Sequence, residues 1–177
     1  MLANSLDVYV LLKLAVRPEG WTYAELAKEL LISPSELHQS VRRSREAGLL
    51  MPDSAKIRRL PLWEYLVYGV RYAFPSVSGA LQYGMPTSHA APPLDKLFPQ
   101  DDKIVPVWPD EMGKAYGYAV APLHPKAPQA SRLDPQFYEC LALTDAIRCG
   151  RTRERNAAIS ILEDRLLKHE HTTGRAA

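Results

Sequence analysis

Two helix start signals, set close together, constrain this chain more than any other feature in it. Ser33 can accept a hydrogen bond from a backbone N–H one turn on. Pro34 takes the first helical position, where a missing N–H costs nothing, and Glu36 can reach back to the Ser33 N–H. Gly48 then supplies a left-handed terminator, so a helix is predicted over Ser33 to Ala47. Just upstream, Thr22 and Glu25 repeat the same reciprocal start, and Ala24, Leu26, Ala27 and Leu30 add an apolar stripe, which predicts a helix from Thr22 to Leu31. Only Leu31-Ile32 separates the pair, the footprint of a helix-turn-helix.

The flanks extend the pattern. Ser5 to Arg17 reads as a helix with Leu6, Tyr9, Val10, Lys13 and Leu14 at helical spacing (Leu12 and Val16 define an alternative face), stopped by Pro18-Glu19-Gly20. After Gly48, Leu49-Leu50-Met51 and Lys56-Ile57-Arg58-Arg59 bracket the turn signal Pro52-Asp53-Ser54, which leaves room for a short hairpin. A fourth helix is expected from Pro61 to about Phe74, with Leu62, Tyr65, Leu66 and Val70 on one side. The aromatics Trp63, Tyr65, Tyr68, Tyr72 and Phe74 read as core or dimer interface. From Ser76 to Leu133, turn residues and most of the chain's 15 prolines dominate. Within that stretch, Ile104–Trp108 and Ala115–Ala121 read as a hairpin joined by a Gly113-containing turn, with Pro106 marking the first strand as an edge. Helices from Asp134-Pro135 to Cys149 and from about Thr152 to Leu167 close the chain, and the tail His169–Ala177 reads as disordered.

The expected fold class is therefore α+β and mainly helical. Residues 1–60 form a helical domain with a hairpin. Residues 61–177 hold a helix, the proline-rich segment and a C-terminal helical pair. The stretch WTYAELAKELLISPSELHQSVRRSREAGLL, and with it residues 5 to 60, resembles the DNA-binding core of bacterial winged helix-turn-helix regulators of the MarR kind. That resemblance implies double-stranded DNA as partner and a role as transcriptional regulator and repressor. One departure is Ser44, which stands where a leucine is usual. The remainder resembles small bacterial proteins described as regulators, some from toxin–antitoxin or defence loci. The alternative it implies is an antitoxin-like interaction module whose C-terminal region binds a partner protein.

Side-chain chemistry points the same way. Leu37, Val41 and Ser44 fall on one face of the third helix, while Ser35, His38, Gln39, Arg42 and Arg43 share the other. Gln can pair bidentately with adenine and Arg with guanine in the major groove. Ser35, His38, Gln39 and Arg42 are accordingly the candidates for reading bases, and Arg43, Arg45, Lys56, Arg58 and Arg59 for holding phosphates. Net charge is only +2, which excludes a polybasic protein, yet Ser33 to Arg59 carries six bases (Arg42, Arg43, Arg45, Lys56, Arg58, Arg59) against three acids (Glu36, Glu46, Asp53), a local +3. One recognition helix makes few base contacts, so a homodimer on two half-sites about one turn apart is expected.

Other chemistries find little support. Cys140 and Cys149 lack CxxC spacing and read as reduced thiols of a cytoplasmic protein; no metal or cofactor is expected. Ser88-His89 is adjacent in the chain, and adjacent side chains seldom face each other; no acid is placed beside them by spacing, so catalysis is not expected. The N-terminus carries Asp7 and Lys13 within its apolar stretch, unlike a signal peptide or a membrane span. Asp145, Arg148, Arg151, Arg153, Glu154 and Arg155 crowd the Gly150 turn. Because Asp134–Ala177 holds seven bases and seven acids, a solvated salt-bridge network is the expected reading.

Overall fold

A computed structural model of the chain describes residues 4–17, 20–99 and 104–168. The protein is α+β and mainly helical. The expected tail from His169 and the Pro18-Glu19 stop lie outside the described residues. Helix α1 (Ser5–Val16) is capped by the Asn4 side chain, which accepts from the Leu6 N–H at 3.0 Å. Sequence spacing gives α1 one apolar face, but every residue from Leu6 to Leu14 is buried, including Asp7 and Lys13. A helix surrounded on all sides needs no stripe. Its charges are met by neighbours: Lys13 Nζ lies 2.9 Å from Glu29 and 2.6 Å from Asp134.

Helices α2 (Tyr23–Leu30) and α3 (Pro34–Glu46) begin at the two expected capping boxes. In α3 the Ser33 Oγ accepts from the Glu36 N–H at 3.2 Å, and Glu36 Oε2 accepts from the Ser33 N–H at 2.8 Å. The short turn between them depends on Leu31 taking a left-handed backbone (φ 56°), a conformation glycine adopts at lower cost. Gly48 (φ 76°) ends the second helix as expected. The hairpin after it is narrow: Leu50 bridges Ile57, the Met51 N–H donates to the Lys56 carbonyl, and the Arg58 N–H donates to that of Leu49.

Arg59–Glu64, Tyr65–Gly69 and Val70–Ala73 follow without a break as one helix, α4, whose middle is π-wound. Three strands come next: β1 (Leu81–Pro86), β2 (Val105–Pro109) and β3 (Ala115–Ala119). The expected two-stranded hairpin is not what forms. β2 and β3 run parallel, with Val105 opposite Gly117, and each pairs antiparallel with β1, so the three close into a ring. The sequence reading passed over β1 because a strand broken by Gly84 and ended by Pro86 carries no alternating pattern. Pro106 is no edge marker either, since its strand is paired on both sides. The close approach of backbones is what Gly117 permits: a Cβ there would lie 1.6 Å from the Val105 carbonyl oxygen. Gly84 permits the matching approach on the other side, where a Cβ would lie 2.0 Å from the Trp108 carbonyl oxygen.

Helix α5 (Ala127–Leu133), also missed within the proline-rich stretch, leads into α6 (Pro135–Cys149) and α7 (Thr152–Leu167). One hydrophobic cluster runs from Leu6 to Leu166. Tyr9 stacks edge-on against Phe137 at 5.0 Å, and its hydroxyl donates to the Leu30 carbonyl. The three N-terminal helices and the C-terminal helices thus share a core.

The Gly150 charge cluster divides in two rather than forming one solvated network. Asp145 and Arg148 are buried. Asp145 accepts from Trp108 Nε1 (2.6 Å), Thr87 Oγ1 (2.8 Å) and Arg148 Nη1 (2.5 Å). Arg148 also donates from Nε to the Phe74 carbonyl and from Nη1 to that of Ala121. One turn of α6 therefore ties down the end of α4, the exit of β1, strand β2 and the exit of β3. Arg151 and Arg153 stay exposed.

Candidate nucleic-acid interface

Amphipathicity sets the orientation of α3. Leu37, Ser40, Val41 and Ser44 are buried against the neighbouring helices, so their helical opposites must face out. Ser35, His38, Gln39 and Arg42 are all exposed, forming one continuous strip from the capped start of the helix to its third turn. Arg42 reaches Glu46 only at 3.9 Å, with 71% of its side chain exposed, so its guanidinium is held loosely. The His38 ring lies flat on Tyr23, with ring centres 4.0 Å apart and an interplanar angle of 8°, and Trp21 meets Tyr23 edge-on. Tyr23 and Trp21 escaped the sequence reading because they approach α3 from another element, where helical spacing carries no signal.

Arg43 does not belong to this face. It turns inward onto Asp7, its Nη2 2.6 Å from Oδ1 and its Nε 2.9 Å from Oδ2, in a bidentate pair whose carboxylate is fully buried. Hydrogen bonding to Asp7 holds the Arg43 guanidinium above its ordinary pKa. A buried acid on a neighbouring helix overrides the helical periodicity that placed Arg43 outside. Arg59, half-buried, donates at 3.5 Å to the Leu166 carbonyl at the end of α7.

The other bases stay near the strip. Arg45, half-buried, donates to the Ser54 carbonyl at the hairpin tip. Exposed Arg58 donates from Nη1 to the Gly48 carbonyl, and Lys56 is exposed on the hairpin. The helix start is electrostatically shaped as well. The Ser33 backbone N–H and then its hydroxyl hold the Glu36 carboxyl below the usual range, so Glu36 stays charged and committed to the cap. Among the described residues, no group of three or more His, Cys, Asp or Glu is placed to hold a metal ion, and no helix is long and apolar enough to cross a membrane. Burial pushes the Cys140 thiol up to about 11 and the Cys149 thiol up to about 12, so neither is a ready nucleophile.

No protein-family model matches the chain, and no curated protein or solved structure resembles it significantly.

Proposed function

We propose that this protein is a sequence-specific double-stranded DNA-binding regulator of the winged helix-turn-helix kind, with α3 as its recognition helix. The observation that carries the reading is the exposed strip Ser35, His38, Gln39 and Arg42 on a helix whose start is doubly capped. Such a strip offers hydroxyl, imidazole, amide and guanidinium donors along a face that fits a major groove. His38 is backed by the Tyr23 ring. Arg45, Lys56, Arg58 and Arg59 take the phosphates on either side; Arg43, committed to the buried Asp7, does not. A second copy supplies the other half-site, because so short a strip reads few base pairs.

Selection of bound duplexes from a random pool, followed by fluorescence anisotropy on the winners, tests this. Arg42→Ala weakens the selected duplex by about 1–3 kcal/mol and relaxes preference at one position, whereas Arg58→Ala weakens all duplexes alike and lowers the salt slope by about 1. A pool without enrichment, or affinity indifferent to salt between about 50 and 200 mM, overturns the reading.

A further inference from the structure

The Ser88-His89 turn, set aside on spacing alone, acquires its acid in three dimensions. Glu154, from the first turn of α7, brings Oε2 to 3.6 Å from His89 Nδ1 while accepting from the Arg151 N–H at 2.8 Å. Ser88, His89, Cys149, Arg151, Arg153 and Glu154 line one side of a cavity of about 620 Å³. Leu97 and Tyr118 give it an apolar wall. That volume falls within the range of small-molecule sites, about 300–1,000 Å³.

Ser88 is a residue of this wall that packing alone does not explain. It holds a left-handed backbone (φ 54°) that a serine adopts only at a cost, and it is 1% exposed. Its Oγ is sealed from solvent without a hydrogen bond of ordinary geometry. The thiol beside it is a weak partner, since Cys149 gives its own proton to the Asp145 carbonyl at 3.0 Å. Buried hydroxyls are normally satisfied; those of Ser40, Ser44, Ser76 and Ser131 also lack a partner, and Ser88 is the one of these five that lines the cavity. The turn is also held rigidly from behind, because neighbouring Thr87 is bound to the Asp145 clamp.

The charges facing the cavity favour an anion. Among the described residues that line it, Arg151 and Arg153 outnumber Glu154, whose carboxylate accepts from the Arg151 N–H. Helix α7, 16 residues long, starts at the same wall; the Glu154 carboxylate caps the Arg151 N–H, which leaves the N–H groups of Thr152 and Arg153 without a partner inside the helix. Burial lowers the His89 pKa, and the Glu154 charge opposes that shift in part.

We propose that this cavity binds a small organic anion, a phosphate monoester or a carboxylate on an apolar body, with Arg151 and Arg153 holding the anionic oxygens and the Ser88 hydroxyl, rotated out of its sealed position, as an added donor. The site lies on residues separate from the α3 strip and stands independently of the DNA reading.

Phenyl phosphate and benzoate, at about 10 mM and constant ionic strength, serve as probes, with thermal unfolding and titration calorimetry on the full chain as readouts. At least one of them is expected to raise the wild-type melting temperature, while phenol is not. Arg153→Ala lowers its affinity about tenfold, the loss of one charge-assisted contact. Ser88→Ala separates binding from packing: it weakens the probe severalfold yet leaves the ligand-free melting temperature unchanged or higher, because it removes a buried hydroxyl whose neighbour is only a weakly bonding thiol. Neither probe binding, or equal binding by wild type and an Arg151→Ala/Arg153→Ala variant, overturns the proposal. So does Ser88→Ala lowering ligand-free stability with affinity intact. Loss of duplex DNA binding in Arg153→Ala with probe affinity unchanged assigns the arginine to nucleic acid and overturns it as well.

Discussion

The outer face of α3 and the last turn of α6 both set arginine beside carboxylate, with opposite consequences. Arg42 and Glu46 meet at 3.9 Å in open solvent. Arg148 and Asp145 meet at 2.5 Å in the interior, with two more donors on the same carboxylate. A surface pair of that length is worth about 0–1 kcal/mol and leaves its guanidinium available to a ligand. A buried pair has given up hydration on both sides, so each partner is stabilised only by the other and by its remaining hydrogen bonds. The same two residue types are therefore architectural in one region and, on the proposed reading, serve recognition in the other. Arg43, next in the chain to Arg42, belongs with the architecture.

The clamp offers the severest way to break that contrast. Asp145→Ala strands the Arg148 guanidinium, the Trp108 indole N–H and the Thr87 hydroxyl inside the protein at once. The expected loss is about 3–5 kcal/mol, a large share of a total stability of about 5–15 kcal/mol. Urea denaturation checks it, with Asp145→Asn falling between variant and wild type because it keeps one acceptor. A loss below about 1 kcal/mol, the size of a surface pair, would mean the network is solvated after all.

Arg43→Ala comes next. It leaves the fully buried Asp7 carboxylate without its bidentate partner. A loss of about 3 kcal/mol in urea unfolding is expected, somewhat below the clamp because Arg43 itself retains some solvent contact. Folded Arg43→Ala should show an unchanged slope of DNA affinity against salt. A slope reduced by about 1 would return Arg43 to the phosphate contacts.

What the sequence made legible is what is decided within a turn or two of chain. Ser33, Glu36, Thr22, Glu25 and Gly48 act on their own helices, and each does so where local chemistry placed it. The strip Ser35, His38, Gln39 and Arg42 followed from the burial of Leu37 and Val41. What stayed hidden is decided by partners far along the chain. Asp7 lies 36 residues from Arg43, and Thr87 lies 58 from Asp145. The ring of strands was hidden for a related reason: Gly84 and Gly117 matter by having no side chain, and the absence of a Cβ forms no pattern to read. Glu154 beside His89 joins two elements that no spacing rule connects.

A smaller effect tests the locally decided half. Ser33→Ala removes the acceptor for the Glu36 N–H and the hydroxyl that touches its carboxylate. The expected cost is about 1 kcal/mol at neutral pH. The Glu36 pKa is depressed in the folded state, so its contribution is present above the ordinary carboxylate range and is lost as pH falls through the lowered value. The gap between wild type and Ser33→Ala in urea should therefore narrow between neutral pH and about pH 3. A gap that is constant with pH would show the cap working without the Glu36 charge.

Arg42→Ala closes the series because it should hardly register in stability. Its carboxylate partner is exposed, its own side chain is mostly in water, and no buried group loses a hydrogen bond when it is cut. A change within about 0.5 kcal/mol in urea is expected, the ordinary result for a surface site. The same substitution carries the largest expected loss of DNA specificity in the protein. That dissociation between stability and binding is what a recognition side chain requires, and Arg43→Ala, one position on, should show its mirror image. If Arg42→Ala destabilises the fold as much as Arg43→Ala does, the two arginines are equivalent structural groups, and the strip on α3 loses its claim to be a reading surface.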